Sequence, residues 1–287
     1  MDDERCRVLY LMVHELSPGR GKRQQFGDAD ILLVFLWAAL RNKPVCWACD
    51  RRNRPRVWRG PLPSPSRVSR RLRDASVQAL LALALRHLQE RVLVAATMVG
   101  CWVVDAKGFA INRYSKVKDA TVGYCCGGKA LGYKLFLLID AAGVPVAWRV
   151  ETMKAGEPTV ARELIKHIDG PGYLLGDAIY DSTELYGLVA ARGVQMVAPR
   201  KNPKQNVDER CKGEARMRAI EMLESPDRAF GPALYARRTL IERVFSRLAG
   251  SVVGLDHLPG WVRNLTRVRR WINAKILIAL AFCYNGL

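Results

Sequence analysis

The spacing of apolar residues divides the chain into a helical part and a mixed part. In the amino-terminal third, apolar residues recur at helical spacing over 28–40 and 77–93. A shorter helix is predicted between these two, since Val68 and Leu72 lie four residues apart and share one face. We therefore expect a small all-α domain over residues 1–98.

From about residue 100 the pattern changes to short apolar runs that are typical of strands. The predicted strands lie at 101–105, 131–139, 144–150, 173–177 and 194–198, and helices are predicted at 157–168 and 182–192. The order is a three-strand meander followed by two helix–strand units, and the right-handed crossover rule lets the fourth strand lie beside the first. This is the order of the ribonuclease H fold. Residues 99–287 are therefore expected to form an α/β domain with a mixed five-stranded sheet and flanking helices.

Two predicted strands end in a carboxylate, Asp105 and Asp177. In the ribonuclease H fold, paired carboxylates on those neighbouring strands hold divalent metal. A third acid, Glu242, lies within an apolar helical pattern, and Arg238 precedes it by four residues on the same face. Either aspartate alone could be a turn or capping residue. The ordered set of three acids favours a catalytic site.

The balance of charge points to a polyanionic partner. The chain carries 46 Lys and Arg against 27 Asp and Glu, a net charge of +19. Residues 41–73 hold eleven basic residues and one acid, and Arg67, Arg70 and Arg71 lie on the short predicted helix. This segment resembles a helix-turn-helix reader of DNA, although a solvated basic face gives the same pattern.

Several classes of protein are disfavoured. The longest apolar run, 31–40, has ten residues, about half of the roughly 20 that a membrane-spanning helix needs. The acidic amino terminus does not have the pattern of a signal peptide, so we expect an intracellular protein. The four histidines are scattered and form no nucleophile–base pair, so a serine or cysteine hydrolase has little support.

The residues also carry a family resemblance. Asp105, the Leu-Gly-Asp run that ends at Asp177, and the spacing of Tyr235, Arg238 and Glu242 resemble the DDE transposases of bacterial insertion sequences, the IS4/IS5-like superfamily. The stretches that begin Gly123-Tyr-Cys-Cys-Gly-Gly-Lys and Gly132-Tyr-Lys-Leu-Phe also resemble those that follow the first aspartate in that family. The similarity spans about residues 100–285.

The resemblance implies metal-dependent cleavage of DNA at the ends of a mobile element and strand transfer into target DNA. It implies two Mg²⁺ ions, which Mn²⁺ can replace, with Asp105 bridging both, Asp177 on one and Glu242 on the other. Hard Mg²⁺ prefers such oxygen ligands. By the same resemblance, Arg238 contacts the scissile phosphate or holds Glu242, and Tyr235 contacts the DNA end.

The implied partners are the terminal inverted repeats and target DNA, both double-stranded. A homodimer is expected because two ends must be paired, and the implied location is the bacterial cytoplasm, at the nucleoid. The family usually carries a lysine at the position of Ala249, so either Arg247 replaces it or the element has decayed. Two alternatives therefore stay open: an inactive DNA-binding descendant, and a ribonuclease H-fold nuclease that only hydrolyses.

Overall fold

The computed structural model describes residues 2–17, 25–95, 100–125, 127–168, 170–204, 213–225 and 229–284. The chain forms two compact units. The first comprises Met1–Ala95, Arg247–Val262 and Thr266–Leu287, and the second comprises Ala96–Ser246 and Arg263–Leu265. These units depart from the predicted domains in the carboxy-terminal part of the chain, because Arg247–Val262 and Thr266–Leu287 belong to the helical first unit.

The helices, in chain order, are α1 Asp2–Leu16, α2 Asp28–Leu40, α3 Val45–Ala48, α4 Pro65–Arg71, α5 Ala75–Ala95, α6 Glu157–Leu164, α7 Thr183–Ala190, α8 Glu214–Glu224, α9 Phe230–Ala236, α10 Thr239–Ala249 and α11 Leu265–Ala279. Short 3₁₀ turns lie at Arg51–Asn53, Ile165–His167 and Ala178–Tyr180, and a π-helical turn follows α11 at Leu280–Tyr284. The strands are β1 Cys101–Ala110, β2 Thr121–Cys125, β3 Gly128–Ile139, β4 Pro145–Thr152, β5 Gly172–Leu175 and β6 Val194–Val197.

Helix α2 is the centre of the first unit. Every residue from 31 to 40 is buried, so the long apolar run is a core helix. Asp30 accepts a hydrogen bond from the backbone N–H of Gly27 at 2.8 Å, which satisfies a donor at the start of the helix. None of the helices among the described residues is long and apolar enough to cross a membrane.

The second unit is built on a mixed sheet with the order β4-β3-β1-β5-β6, and β2 pairs with the amino-terminal part of β3. Strands β1, β5 and β6 are parallel, while β3 runs antiparallel to β1 and β4. This arrangement confirms the predicted ribonuclease H-like fold. The sheet differs from the predicted five-stranded one in having β2 as a sixth strand, and β1 and β3 are longer than predicted.

The two faces of the sheet have different roles. Val104 and Phe136 lie on the face that is covered by α6, α7 and α8, where Leu164, Leu185 and Ala219 complete the core. Because side chains alternate along a strand, the neighbour of Val104 in the chain, Asp105, points to the opposite face. The fold therefore keeps this carboxylate out of the helix-covered core.

Candidate active site

Asp105 and Asp177 are placed at the same level by the register of the sheet. The last residue pair between β1 and β5 joins Val103 and Leu175, and each aspartate lies two residues beyond its member of that pair. The two carboxylates therefore lie at the carboxyl ends of paired parallel segments, where sites in open α/β sheets form. The strand assignment from sequence leads to this same pairing.

Asp105 is largely enclosed. Its side chain is 18% exposed, and its Oδ1 accepts a hydrogen bond from the backbone N–H of Ala106 at 2.7 Å. The backbone of β1 around it is paired with β3, where Leu137 lies opposite. A carboxylate in this position has little access to water, so its charge depends on neighbouring groups.

Asp177 lies two residues after the end of β5 and precedes the 3₁₀ turn Ala178–Tyr180 as its N-cap residue. Its Oδ1 accepts a hydrogen bond from the backbone N–H of Ile179 at 2.9 Å, so it caps this turn. The capping role that the sequence left as an alternative is thus present in the structure. It does not conflict with a role as a ligand, because a carboxylate has two oxygens and about four acceptor positions.

Arg238 joins the first aspartate to the glutamate. Its Nη2 donates to Oε1 of Glu242 at 2.9 Å, and its Nη1 lies 3.4 Å from Oδ2 of Asp105. Arg238 occupies the turn between α9 and α10, and Glu242 follows in the first turn of α10. Glu242 is the most open of the three acids, with 58% of its side chain exposed.

Burial raises the pKa of Asp105 from 3.8 to about 6. The hydrogen bond from Ala106 opposes this shift, and so does the charge of Arg238, whereas the negative charges of Asp177 and Glu157 reinforce it. Desolvation and like charge therefore act in the same direction at this carboxylate. A bound cation would relieve both.

Tyr235 on α9 belongs to the same neighbourhood. Burial raises the pKa of its hydroxyl, the charges of Asp177 and Asp105 raise it further, and Arg238 lowers it. The structure therefore brings all five residues predicted for the second unit close to one another: Asp105, Asp177, Tyr235, Arg238 and Glu242.

Three residues near this site are missed by sequence reasoning. Glu157, at the start of α6, forms a 2.9 Å ion pair with Lys134 on β3, and both side chains are 12% exposed. The buried hydroxyl of Tyr180 faces Glu157 without reaching regular hydrogen-bond geometry. In the sequence, Glu157 is an ordinary first-turn acid and Lys134 lies within an apolar strand, so no pattern distinguishes them.

The two aspartates provide suitable oxygen ligands for a hard divalent cation, but the third acid does not join them. Asp105 and Asp177 offer carboxylate oxygens in a site with excess negative charge, which is the chemistry that Mg²⁺ requires. Among the described residues, however, no three His, Cys, Asp or Glu side chains are arranged to hold a metal together. The ion pair with Arg238 accounts for the position of Glu242, which therefore does not join the aspartates in this arrangement.

The three arginines predicted to bind DNA have different surroundings in the first unit. Arg71 is 18% exposed and pairs with Asp28 at 2.5 Å and Asp74 at 2.7 Å. Arg67 donates to Gln25 at 2.6 Å and stacks on a phenylalanine ring. Arg70 is exposed. The first two fix α4 in its own unit, and Arg70 is the one that the described structure presents to solvent.

These features define a ribonuclease H-like protein with an acidic site formed by β1 and by the segment that follows β5. The family described as "Transposase DDE domain" matches residues 101–282. The chain belongs to this family. Asp105, Asp177 and Glu242 all lie inside the matched region.

One solved structure agrees with this assignment at the level of the fold. The piggyBac transposase, in a synaptic complex with hairpin DNA, is 11% identical with a TM-score of 0.52, covering 98% of this chain and 73% of that one. The Mos1 transposase, in a paired-end complex with the left transposon end, is also 11% identical, covering 84% and 83% of the two chains. Its TM-score of 0.24 is too low to indicate a shared fold. Among curated proteins, none matches the sequence significantly.

Proposed function

We propose that this protein is a metal-dependent DNA transposase that cleaves DNA at the ends of its mobile element and transfers the cut strands into target DNA. The observation that carries the proposal is the register of Asp105 and Asp177 on neighbouring parallel strands, with Glu242 tied to Asp105 through Arg238. Membership of the transposase family supplies the reaction class.

Asp105, Asp177 and Glu242 are the residues that would hold Mg²⁺ or Mn²⁺. Two bound ions would activate the attacking oxygen and stabilise the leaving oxygen of the phosphodiester. Arg238 already lies between two of the acids, and its planar guanidinium suits a bidentate contact with the scissile phosphate. Tyr235 would contact the DNA end beside it.

The proposed partners are double-stranded terminal inverted repeats and target DNA. The net charge of +19 favours a polyanion. In the first unit, exposed arginines follow α3 and continue to α4: Arg51, Arg52, Arg54, Arg56, Arg59 and Arg70. We propose that residues 1–98 bind DNA, that residues 99–287 hold the catalytic function, that two copies act on paired ends, and that the protein works at the bacterial nucleoid.

Ala249 supports a second candidate function, an inactive descendant that only binds DNA. The residue ends α10 with a methyl group where the related enzymes usually have a lysine. Arg247 does not offer a simple replacement, since its guanidinium stacks 4.7 Å from the ring centre of Tyr284. Retention of all three acids favours the active enzyme over this alternative.

The test is cleavage and joining of a labelled duplex that carries the terminal repeats of the element, in Mg²⁺ and in Mn²⁺. Asp105→Ala, Asp177→Ala and Glu242→Ala should each abolish cutting while DNA binding persists. Glu163→Gln is the matched control, because this exposed carboxylate on α6 pairs with Lys166 and lies outside the site.

Three other outcomes separate the alternatives. Cutting without joining identifies a nuclease of the same fold. Binding without cutting in either metal identifies the inactive descendant, and Ala249→Lys then tests whether activity returns. Cutting that survives all three substitutions contradicts the assignment of the site.

A further inference from the structure

The β2–β3 hairpin has one side that is open to solvent. Two cross-strand pairs, Val122 with Leu131 and Tyr124 with Lys129, share this side, and we call these four residues the hairpin face. Tyr124 is 71% exposed, Val122 is 56% exposed, and Lys129 is also exposed. An aromatic ring beside an aliphatic chain and an ammonium is thus presented outward.

The other side of the hairpin is packed onto the sheet. A Cβ on Gly123 would lie 2.5 Å from the carbonyl oxygen of Met153, just after β4. A Cβ on Gly108 of β1 would lie 2.5 Å from Sγ of Cys125. Glycine at these two positions therefore allows the hairpin to approach β1 and β4 closely. The hairpin face is held in a fixed direction, away from the sheet.

The chain segment that carries the hairpin face is mainly basic. Residues 111–132 contain four basic residues and a single acid, Asp119. Asp119 accepts hydrogen bonds from the hydroxyl of Tyr133 at 2.7 Å and from the backbone N–H of Leu265 at 2.8 Å, so its charge is directed inward. The basic residues are exposed: Arg113, Lys116, Lys118 and Lys129.

We propose that the hairpin face binds unpaired nucleotides of DNA close to the point of cleavage, with a base stacked on Tyr124 and phosphates near Lys129. Aromatic rings within a basic surface are the usual means by which proteins hold single-stranded nucleic acid. A second copy of this chain fits less well, because it would bring the same positive charge to the surface.

The position of the hairpin agrees with this partner. Gly108, which the hairpin contacts, lies three residues after Asp105 on β1, at a distance of roughly 10 Å. That is about three steps of a nucleic-acid strand at about 3.4 Å each. A strand with its phosphate at Asp105 therefore reaches the hairpin within a few nucleotides. This inference rests on the proposed function, since it takes Asp105 as the place of cleavage.

The experiment compares two fluorescent DNA probes by anisotropy in EDTA, so that cutting plays no part. One is a blunt duplex, and the other is the same duplex with a four-nucleotide 3′ overhang. Tyr124→Ala should weaken binding of the overhang probe about 5- to 100-fold and change binding of the blunt probe much less. Tyr124→Phe should bind as the wild type does, because it keeps the ring. Phe230→Ala removes another aromatic residue, 56% exposed on α9, and should have no effect.

Several results would overturn the inference. One is equal affinity of wild type and Tyr124→Ala for the overhang probe, and another is an equal loss on both probes with an unchanged melting temperature. Dissociation of a dimer by Tyr124→Ala, seen by light scattering, would assign the surface to a second copy of the chain. A wild type that binds neither probe would instead contradict the proposed function itself.

Discussion

Asp105 and Asp177 each lie two residues beyond the paired residues Val103 and Leu175, so parallel pairing of β1 and β5 sets the two carboxylates side by side. This proximity has an energetic cost that the rest of the fold must offset. Asp105 is disfavoured as an anion by burial and by its negative neighbours. The site therefore requires positive charge to compensate its carboxylates.

Asp105→Asn should stabilise the metal-free protein at neutral pH. In the wild type, the pKa of the Asp105 carboxyl rises from 3.8 in the unfolded chain to about 6 in the folded protein. The folded state therefore binds more protons between these values, and wild-type stability falls as pH rises through this window. The neutral amide avoids this loss. The expected gain at pH 7 is on the order of 2–3 kcal/mol, measured as the difference in urea unfolding between variant and wild type.

Two controls belong to this measurement. The gain should be much smaller near pH 4, where the folded wild-type carboxyl is protonated and the unfolded one is only partly ionised. Mg²⁺ should stabilise the wild type more than Asp105→Asn, because a ligand that binds only the folded state raises its stability. A gain that is the same at pH 4 and pH 7 would show that burial of the charge is not its cause.

Glu157→Gln should lower the pKa of Asp105. The negative charge of Glu157 is one of the causes that raise this pKa, and its removal leaves the ammonium of Lys134 without its carboxylate partner. Both changes favour the ionised form of Asp105. A carbon-detected NMR titration of the Asp105 carboxyl measures the shift. Glu163→Gln, on the same helix, should leave that titration unchanged, and an equal shift in both variants would rule out a local effect of Glu157.

Lys275→Met should destabilise the first unit. Lys275 is fully buried on α11, and its Nζ donates to the carbonyl oxygens of Ala39 and Val253 and to Oδ1 of Asn42, at 2.5–2.6 Å. These three acceptors match the three N–H groups of an ammonium. Methionine fills similar space but leaves all three without a donor, at an expected cost of about 3–5 kcal/mol.

Denaturant unfolding followed by far-UV circular dichroism measures this cost. Lys166→Met is the matched control, because that lysine is 61% exposed and pairs with Glu163 on the surface. The free energy of unfolding of this control variant should differ from that of the wild type by no more than about 0.5 kcal/mol. If Lys275→Met is as stable as this control, the three hydrogen bonds contribute nothing net to the fold.

The sheet order and the two aspartates are predictable because they depend on local signals. Short apolar runs predict the core strands, and each of the two runs that matter is followed by its acid within two residues. The parallel pairing then follows from the right-handed crossover rule. The helix-capping role of Asp177 could also be anticipated, since aspartate commonly caps turns.

The rest depends on contacts between residues that are distant in the chain. The ion pair of Lys134 and Glu157 connects β3 with the start of α6, 23 residues later in the chain. The periodicity of a helix or strand does not predict a contact over this separation. For the same reason the sequence does not reveal the ion pair of Arg71 with Asp28, because the two residues are 43 positions apart. The placement of Arg247–Val262 and Thr266–Leu287 in the first unit is likewise a tertiary result, which a division at the change of apolar pattern near residue 100 misses.

Arg238 should prove essential for cutting and dispensable for folding. Its guanidinium lies 22% exposed between Asp105 and Glu242, and its positive charge lowers the pKa of Asp105. Arg238→Ala therefore removes both the link to Glu242 and the proposed contact with the scissile phosphate. A loss of one such positioned donor typically lowers the rate about 10²- to 10³-fold, which single-turnover cleavage of the terminal repeats measures.

Arg238→Lys separates the two roles of this residue. A lysine restores the positive charge but offers a point charge without the planar fork, so we expect partial recovery of cutting. Arg162→Lys is the matched control, since this arginine pairs with Glu184 on α7, outside the site. Full activity in Arg238→Lys would show that charge alone is needed. Full activity in Arg238→Ala would remove this residue from the catalytic site and leave the three acids without the cation that now joins two of them.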